Sequence, residues 1–565
     1  MNRFATVNKA RRRSPEGAAL YCSPAKMIVT RSVSEGRNLL PRLRFGLRSS
    51  SPNVPFSPAR KPPRPRGIIL VLVLVVTSVL TMACLVFAEL MLNERRAAVT
   101  ASRQVQTRVL AQSGTQLARQ FLDLDPADQT AQGGLYDNPQ TFQNVLIADE
   151  PAPQDRGHCS LIAPRISDDG TVFVGTRYGL QDESTRINLA TICSLPGDDK
   201  NNTKAKAMLM ALPGMLDEIA DSILDWIDRN DTPRPNGAES DYYGTLSPPY
   251  SARNAAPVTL DELLLVRNMT PAYLYGLDAV TMGLIPADSV SGTSIDGVDD
   301  SAGTMDHGWA AYFTLWSAES NLKADGTQKT NLNGSDLQKI YNSLTSALDE
   351  QSARFIVNYR AKNPGKPVAQ LKPKPTSMTS LLELIKASVP HMANPFTKDN
   401  ISKLYDVATL QSGKSIPGRI NINQASQVVL MCLASIPGIG LTPDNVNQII
   451  SNRVLDPMNA PADQHYSIWP YTEGIVSRTV MMQLEPYVCA GGSVYRAQVL
   501  GYFEKGSLIG RVEALLDSSQ HPTKILFWRD MMRLPGYKFP FESLEEMTSA
   551  GTTNLTNSTS STSSQ

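Results

Sequence analysis

Ile68–Ala88 reads IILVLVLVVTSVLTMACLVFA, 21 residues without a charge, closed by Glu89. At about 1.5 Å per helical residue the stretch spans roughly 31 Å, the thickness of a bilayer's hydrocarbon core. A buried helix of a soluble domain shows one apolar stripe, whereas here every face is apolar. The segment is therefore predicted to cross a membrane. Arg60, Lys61, Arg64 and Arg66 stand before it and place the preceding residues on the cytoplasmic side; Arg95 and Arg96 beyond it weaken that bias without reversing it. A cleaved secretory signal has a short apolar region and a small-x-small exit site, but here Phe87–Leu92 runs straight on into more helix. No Pro or Gly interrupts Ile68–Ser113, and the next proline is Pro126. Val99, Val105, Val109, Leu110, Leu117 and Phe121 follow at mainly helical spacings. One helix over 68–125 is expected, roughly 85 Å long, with 68–92 in the bilayer and the remainder amphipathic outside it.

The 565 residues suggest two to four domains. A hydrophobic share of 41 % with 19 % charged excludes a wholly disordered chain and a polytopic membrane protein. The 54 Lys+Arg against 53 Asp+Glu conceal an asymmetry, since residues 1–66 hold 15 of the bases and 2 of the acids. A basic head of about +13 thus precedes an acidic body of about −12, and the two are expected on opposite sides of the membrane.

Pro62–Gly67 (PPRPRG) is a stiff, basic segment ending in glycine. A basic leader, a glycine and an uninterrupted apolar helix resemble the prepilin-peptidase site of type IV pilins and their secretion relatives. The resemblance implies cleavage after Gly67, with Ile68 as the first mature residue. Most of that family carry a Glu at the fifth mature position, which helps dock the subunit in a growing filament; here the position holds Leu72. Minor pseudopilin K of type II secretion systems is the member that typically lacks this Glu, as suits a tip subunit with nothing above it to match. The leader is far longer than is usual in the family. Either translation starts later, for example at Met27, or the head is an added tail; its Pro, Ser and Arg content predicts disorder.

Further motifs carry the same resemblance. Asp217–Asp231 (DEIADSILDWIDRND) has a helical apolar stripe of Leu216, Ile219, Ala220, Ile223, Leu224 and Ile227, stopped by Pro233. A new helix start follows at Thr259–Glu262, with Thr259 as N-cap. The string DWID…D…GAE…YY…PPY…N…TLDELLLV over 225–266 resembles the pseudopilin K signature. Asp182–Leu189 (DESTRINL) resembles that family's DE-x-x-(K/R)-I/L-N-L strand, and Gly418–Ala425 its I-N-x-N-x-A segment. Tyr495–Glu504, Leu508–Leu516 and Lys524–Arg529 alternate as three strands of an antiparallel meander.

The resemblance implies an α+β chain: a long transmembrane and amphipathic pilin helix, a small antiparallel sheet, and a large inserted all-α domain of helix-hairpin-helix or SAM-like type. The expected divisions are a leader over 1–67, the pilin helix over 68–125, and the first part of the pilin-like domain over 126–200. The helical insert then occupies 201–455, with a lineage-specific insertion at about 270–418. C-terminal strands follow over 456–540, and a disordered Ser/Thr-rich tail over 541–565. Within 270–418 the sequence predicts a Gly/Ser/Asp-rich loop (Ser289–Asp306), a polar region (Asn321–Asp336), helices around Asp336–Tyr359 and Thr379–Ala387, and a proline-rich linker (Lys362–Pro375).

Other motifs have plainer readings beside the functional ones. Leu433–Gly440, with Pro437, Gly438 and Gly440 followed by a helical stripe, looks like a helix-hairpin-helix, and Leu212–Pro213–Gly214 is a shorter echo. DNA binding needs bases beside the hairpin, and the only nearby one is Arg453, so protein packing is expected. Ala408–Ser415 fits a relaxed phosphate-loop pattern, but Pro417 and Gly418 remove the helix such a loop requires. Asp225, Asp228, Asp231 and Glu239 either cap helices and face water, the commoner case, or offer oxygen ligands to calcium, which the family resemblance brings into consideration. Asp296, Asp299, Asp300 and Asp306 pose the same choice. Five scattered histidines and the absence of G-x-S-x-G argue against catalysis. Cys22 lies in the leader and Cys84 in the membrane segment. Cys159, Cys193, Cys432 and Cys489 allow three disulfide connectivities, with Cys159–Cys193 the first choice and unpaired burial the alternative.

The reading that results is a non-enzymatic minor pseudopilin, anchored once in a bacterial inner membrane with its body in the periplasm. It is expected at the tip of a type II secretion pseudopilus, requiring no cofactor other than an optional calcium. Its expected partners are minor pseudopilins of the I, J and H types, prepilin peptidase, the inner-membrane assembly platform and exported proteins, without nucleic acid. The alternative is a membrane-anchored helix-hairpin-helix protein of DNA binding and uptake.

Overall fold

The computed structural model describes residues 68–531 except 168, 283, 287–289, 292–293, 296–297, 299–302 and 324. Gly67, the leader, the Ser/Thr-rich tail, Asp296, Asp299 and Asp300 lie outside the described residues. The chain divides into two compact units after Cys84.

Helix α1 runs unbroken over Ile68–Leu122, close to the expected span. Every residue from Ile68 to Ser102 is exposed, and the helix is long and apolar enough to cross a membrane. Its few hydroxyls there bond back to the helix's own carbonyls, Thr77 Oγ1 to Leu74 O at 3.0 Å and Ser78 Oγ to Leu74 O at 2.7 Å. No polar group of those side chains is thus left for lipid to satisfy.

In the second unit, Gln104–Leu122 turns Thr107, Leu110, Ala111, Gly114, Thr115, Ala118, Phe121 and Leu122 onto an antiparallel sheet. Val99, Val105 and Val109, expected on the packed stripe, are instead more than half exposed. The reason is steric. The helix lies so close to the sheet that a Cβ at Gly501 would strike the Thr107 carbonyl and the Ala111 nitrogen, and one at Gly510 would strike the backbone at Thr107 and Arg108. Small residues such as Thr107, Ala111 and Gly114 stand where the backbones approach, with Leu110, Phe121 and Leu122 packed beside them.

The sheet orders β1 (Val145–Ala148), β2 (Gly157–Ile166), then the meander Val494–Phe503, Ile509–Asp517 and Lys524–Asp530. Neighbours along that path are antiparallel, as the alternation of the last three strands predicts. β3 (Phe173–Tyr178) pairs with β2, and the two-residue β4 (Gln181–Asp182) pairs with the first meander strand at Tyr495 and Arg496. β2 and the first meander strand are thus paired across 336 positions of chain at Ile162 and Gln498.

The stretch between holds the larger apolar core, running from Ile187 to Val488. It contains helices α4 (Thr203–Met210) and α5 (Asp217–Ile227), which follow the short α2 (Pro126–Ala131) and α3 (Pro139–Phe142). Further helices span Leu337–Thr345, Glu350–Arg360, Gln427–Ala434 and Pro443–Asn452. The middle is not all-helical as expected. Ile187–Asn188 pairs in parallel with Phe313–Thr314, Thr330–Asn331 with Ala408–Thr409, and Ile420–Asn421 with Val488–Cys489; Ala318–Ser320 runs antiparallel to Ser415–Pro417. Many crossings of this core are too short for a helix, so their buried backbone groups pair across to a neighbouring segment.

Candidate functional site

The DESTRINL stretch does not form one strand. β4 ends at Asp182, a 3₁₀ turn takes Glu183–Thr185, and Ile187–Asn188 resumes as a strand. The turn drives both acids inward. Asp182 accepts from Ser184 N at 2.7 Å, Asn421 Nδ2 at 2.8 Å and Gly492 N at 2.7 Å. Burial raises its pKa above the usual carboxylate range, against the pull of those three donors. Glu183, fully buried, pairs with Arg496 Nε at 2.6 Å and Arg186 Nη1 at 3.6 Å and accepts from the Thr314 hydroxyl. Burial works against its charge, but Arg496 and Arg186 hold its carboxyl below the ordinary value. Arg496 also reaches Glu513 Oε2 at 3.4 Å. Two adjacent carboxylates therefore tie together β4, the Asn421 segment, the Gly492 turn and two strands of the meander.

The I-N-x-N-x-A segment supplies the other half of these ties. Asn421 meets Asp182, while Asn423 accepts from Trp469 Nε1 at 2.8 Å and donates to Gln464 O at 2.7 Å and Ala490 O at 3.1 Å. Gly492 has no room for a side chain, since a Cβ there would strike Asp182 Oδ1 and Ser184 Oγ.

The DWID helix, α5, buries Ile219, Ile223, Leu224 and Trp226 and, unusually, Asp221 and Asp225. Trp226, Tyr243 and Tyr250 form an aromatic cluster, with Trp226 edge-on to Tyr243 at 5.1 Å and Tyr243 stacked on Tyr250 at 5.2 Å. That cluster folds the YY…PPY loop back over the helix end. Thr259 makes no cap; Glu262 instead accepts from Trp226 Nε1 at 3.1 Å and Val258 N at 2.9 Å, at the head of a 3₁₀ turn.

At that end Arg234 pairs with Asp225 and Asp228, and Glu239 lies within the field of Asp225, Asp228 and Asp231. Asp225 takes the Arg234 amide at 3.0 Å and its guanidinium, which also lies 2.8 Å from Asp228 Oδ2. Asp231 accepts from Asn254 Nδ2 at 2.7 Å and Ser240 Oγ at 3.3 Å. Gly237 is required, because a Cβ there would strike Asp225. Glu239 is only 3 % exposed and neither of its oxygens has a partner. Burial first, then the charges of Asp225, Asp228 and Asp231, push its pKa up to about 8. Burial raises Asp225 as well, against Arg234. As arranged, no three Asp, Glu, His or Cys side chains among the described residues are grouped closely enough to hold an ion. The donors are nevertheless all hard oxygens, and one of them is a buried carboxylate that needs a proton or a cation.

Gly438 and Gly440 have φ of +89° and +75°, making the turn from the Gln427–Ala434 helix to the Pro443–Asn452 helix, and Gly214 (+63°) follows α4 in the same way. Ser435 Oγ donates to Ala207 O at 3.0 Å, joining the two turns' helices. Arg453, the one base near the hairpin, is buried and donates to Ala425 O at 2.5 Å, so it is not presented to phosphate. The Cys159–Cys193 disulfide expected first is not formed. Cys159 lies in the sheet core and Cys193 packs against the larger core, and both are free thiols, as are Cys432 and Cys489.

Residues 185–281 match the family model described as type II secretion system (T2SS), protein K. No curated protein sequence matches the chain. Among solved structures, the GspK-GspI-GspJ complex from the enterotoxigenic Escherichia coli type 2 secretion system aligns over 77 % of this chain and 99 % of that one, at 13 % identity and a TM-score of 0.35.

Replacing Glu183 by Gln leaves two buried guanidiniums short of their counter-charge. The expected loss is about 3–5 kcal/mol of unfolding free energy, read from the denaturation midpoint. An exposed control, Glu150→Gln, should change it by less than about 0.5 kcal/mol.

Proposed function

We infer that this chain is a type II secretion protein K and works as a minor pseudopilin, contributing to secretion by assembly and contact. The single observation that carries the reading is the protein K match at 185–281, in a chain whose long helix α1 is apolar enough to cross a membrane. In this reading prepilin peptidase cuts after Gly67, and Ile68–Leu92 holds the subunit once across the inner membrane with its body in the periplasm. Leu72, in place of a filament-docking Glu, suits the tip. The proposed neighbours are minor pseudopilins of the I, J and H types and the inner-membrane assembly platform, with exported proteins touching the body. The ties at Asp182 and Glu183 would let sheet and helical core move as one piece during assembly. The DNA-uptake alternative has no support, since its hairpin lacks an available base.

Deleting the gene should trap exported proteins in the periplasm, and the full chain supplied in trans should restore secretion and co-purify other pseudopilins. Unchanged secretion in the deletion strain would overturn the reading.

We also propose that Asp225, Asp228, Asp231 and Glu239 hold a calcium ion, with the orphaned Glu239 carboxylate as the supporting observation. Without metal, Glu239 takes up a proton in the folded state between its ordinary pKa of 4.5 and about 8. The folded state then binds more protons than the unfolded one, so this group's contribution to stability falls as pH rises through that window. Glu239→Gln should flatten that fall, and calcium should raise the Tm of the unsubstituted chain more at pH 8 than at pH 5. A Tm indifferent to calcium and to chelator would contradict the site.

A further inference from the structure

The segment expected to be a proline-rich linker is an ordered hairpin. Ala361 bridges Pro373, Lys362 N donates to Lys372 O at 2.7 Å, and Lys374 N donates to Arg360 O at 2.8 Å. Asn363 pins the interior, accepting from Lys372 N at 2.8 Å and donating to Gln370 O at 3.0 Å, while Gly365 N bonds Asn358 Oδ1 at 2.8 Å. Arg360 anchors the base by donating to Leu332 O and Thr376 O.

The hairpin sits in an anomalous run of charge. Gln351–Leu382 contains Arg354, Arg360, Lys362, Lys366, Lys372 and Lys374 and no acid, in a body that otherwise has an excess of acids. Lys362, Lys366 and Lys372 are exposed and Lys374 half-exposed, its ammonium 4.7 Å from the Tyr359 ring. Among the described residues none of the four pairs with a carboxylate. Lys362 and Lys372 occupy facing positions across the hairpin, an arrangement of like charges that costs stability. The fold thus holds four cations on a rigid frame, and the Tyr359 ring under Lys374 offsets only part of that cost.

We infer that the 361–374 hairpin is a docking surface for an acidic face of a partner protein, through Lys362, Lys366, Lys372 and Lys374. Charge complementarity selects the partner. The large apolar side chains nearby are turned inward, with Leu371 buried and Val368 half-buried, so there is no anchor for a bilayer. The cations are point-like ammoniums and not the guanidinium forks that grip phosphate in pairs. The stapled geometry fixes their spacing, so a run of carboxylates meets cations whose backbone is already ordered. This inference is independent of where the subunit sits in a filament.

The test is hydrogen exchange at residues 360–375 of the full chain in detergent, with poly-L-glutamate as the acidic polypeptide. Vesicles of phosphatidylglycerol and duplex DNA serve as rival probes. Exchange at Lys362, Lys372 and Lys374 should slow severalfold with poly-L-glutamate at low salt. The effect should vanish at high salt and in the K362Q/K366Q/K372Q/K374Q variant, and persist in K386Q/K403Q. No slowing, slowing that survives the quadruple substitution, or equal or greater slowing by vesicles or DNA would overturn the inference.

Discussion

Two buried carboxylates, side by side at Asp182 and Glu183, are the constraint on which the rest of the second unit depends. The chain leaves the sheet after β4 and returns to it at Val494, having built a whole apolar core in between. Something must hold the departure and the return together. Asp182 does so through neutral donors, the Gly492 amide and the Asn421 side chain, and Glu183 does so through charge, by way of Arg496. Each acid is desolvated, so neither tolerates loss of its partners. A bond to a surface carboxylate would slip; a bond in a water-free site holds the two crossings in register.

That register reaches the helix. Arg496 lies on the strand that also carries Gly501, where a Cβ would strike the α1 backbone. A shift of one residue in the strand would turn its core face over and put a side chain where the helix backbone now lies. The clamp, the meander and the small-residue face of α1 thus fix one another. For a subunit proposed to work by assembly, this coupling joins the sheet-packed part of α1 to the larger core.

Much of this was legible in the sequence because it depends on long or periodic signals. The membrane stretch is apolar on every face, and the alternation of Tyr495–Glu504 and its two successors locates the meander to within a residue or two. The acidic cluster after α5 was legible as residues, though not that Arg234 sits among them or that Glu239 lacks a partner. What escaped depends on distance. Val99, Val105 and Val109 satisfy a helical period but not the close approach that selects Gly114 and Ala118. Asp182 and Glu183 look like the exposed end of a strand until a 3₁₀ turn puts them inside. Cys159 and Cys193 are near in sequence and lie in different cores. The two-residue ladders of the middle have too few side chains to leave any pattern, and the Lys362–Pro375 prolines mark a stapled hairpin as readily as a linker.

The most direct measurement of the central claim is the intact mass of the chain recovered from membranes with and without a prepilin peptidase. A pseudopilin predicts a species beginning at Ile68 that appears only when the peptidase is present. A chain that keeps its basic head in both cases would contradict it and leave an ordinary membrane-anchored protein.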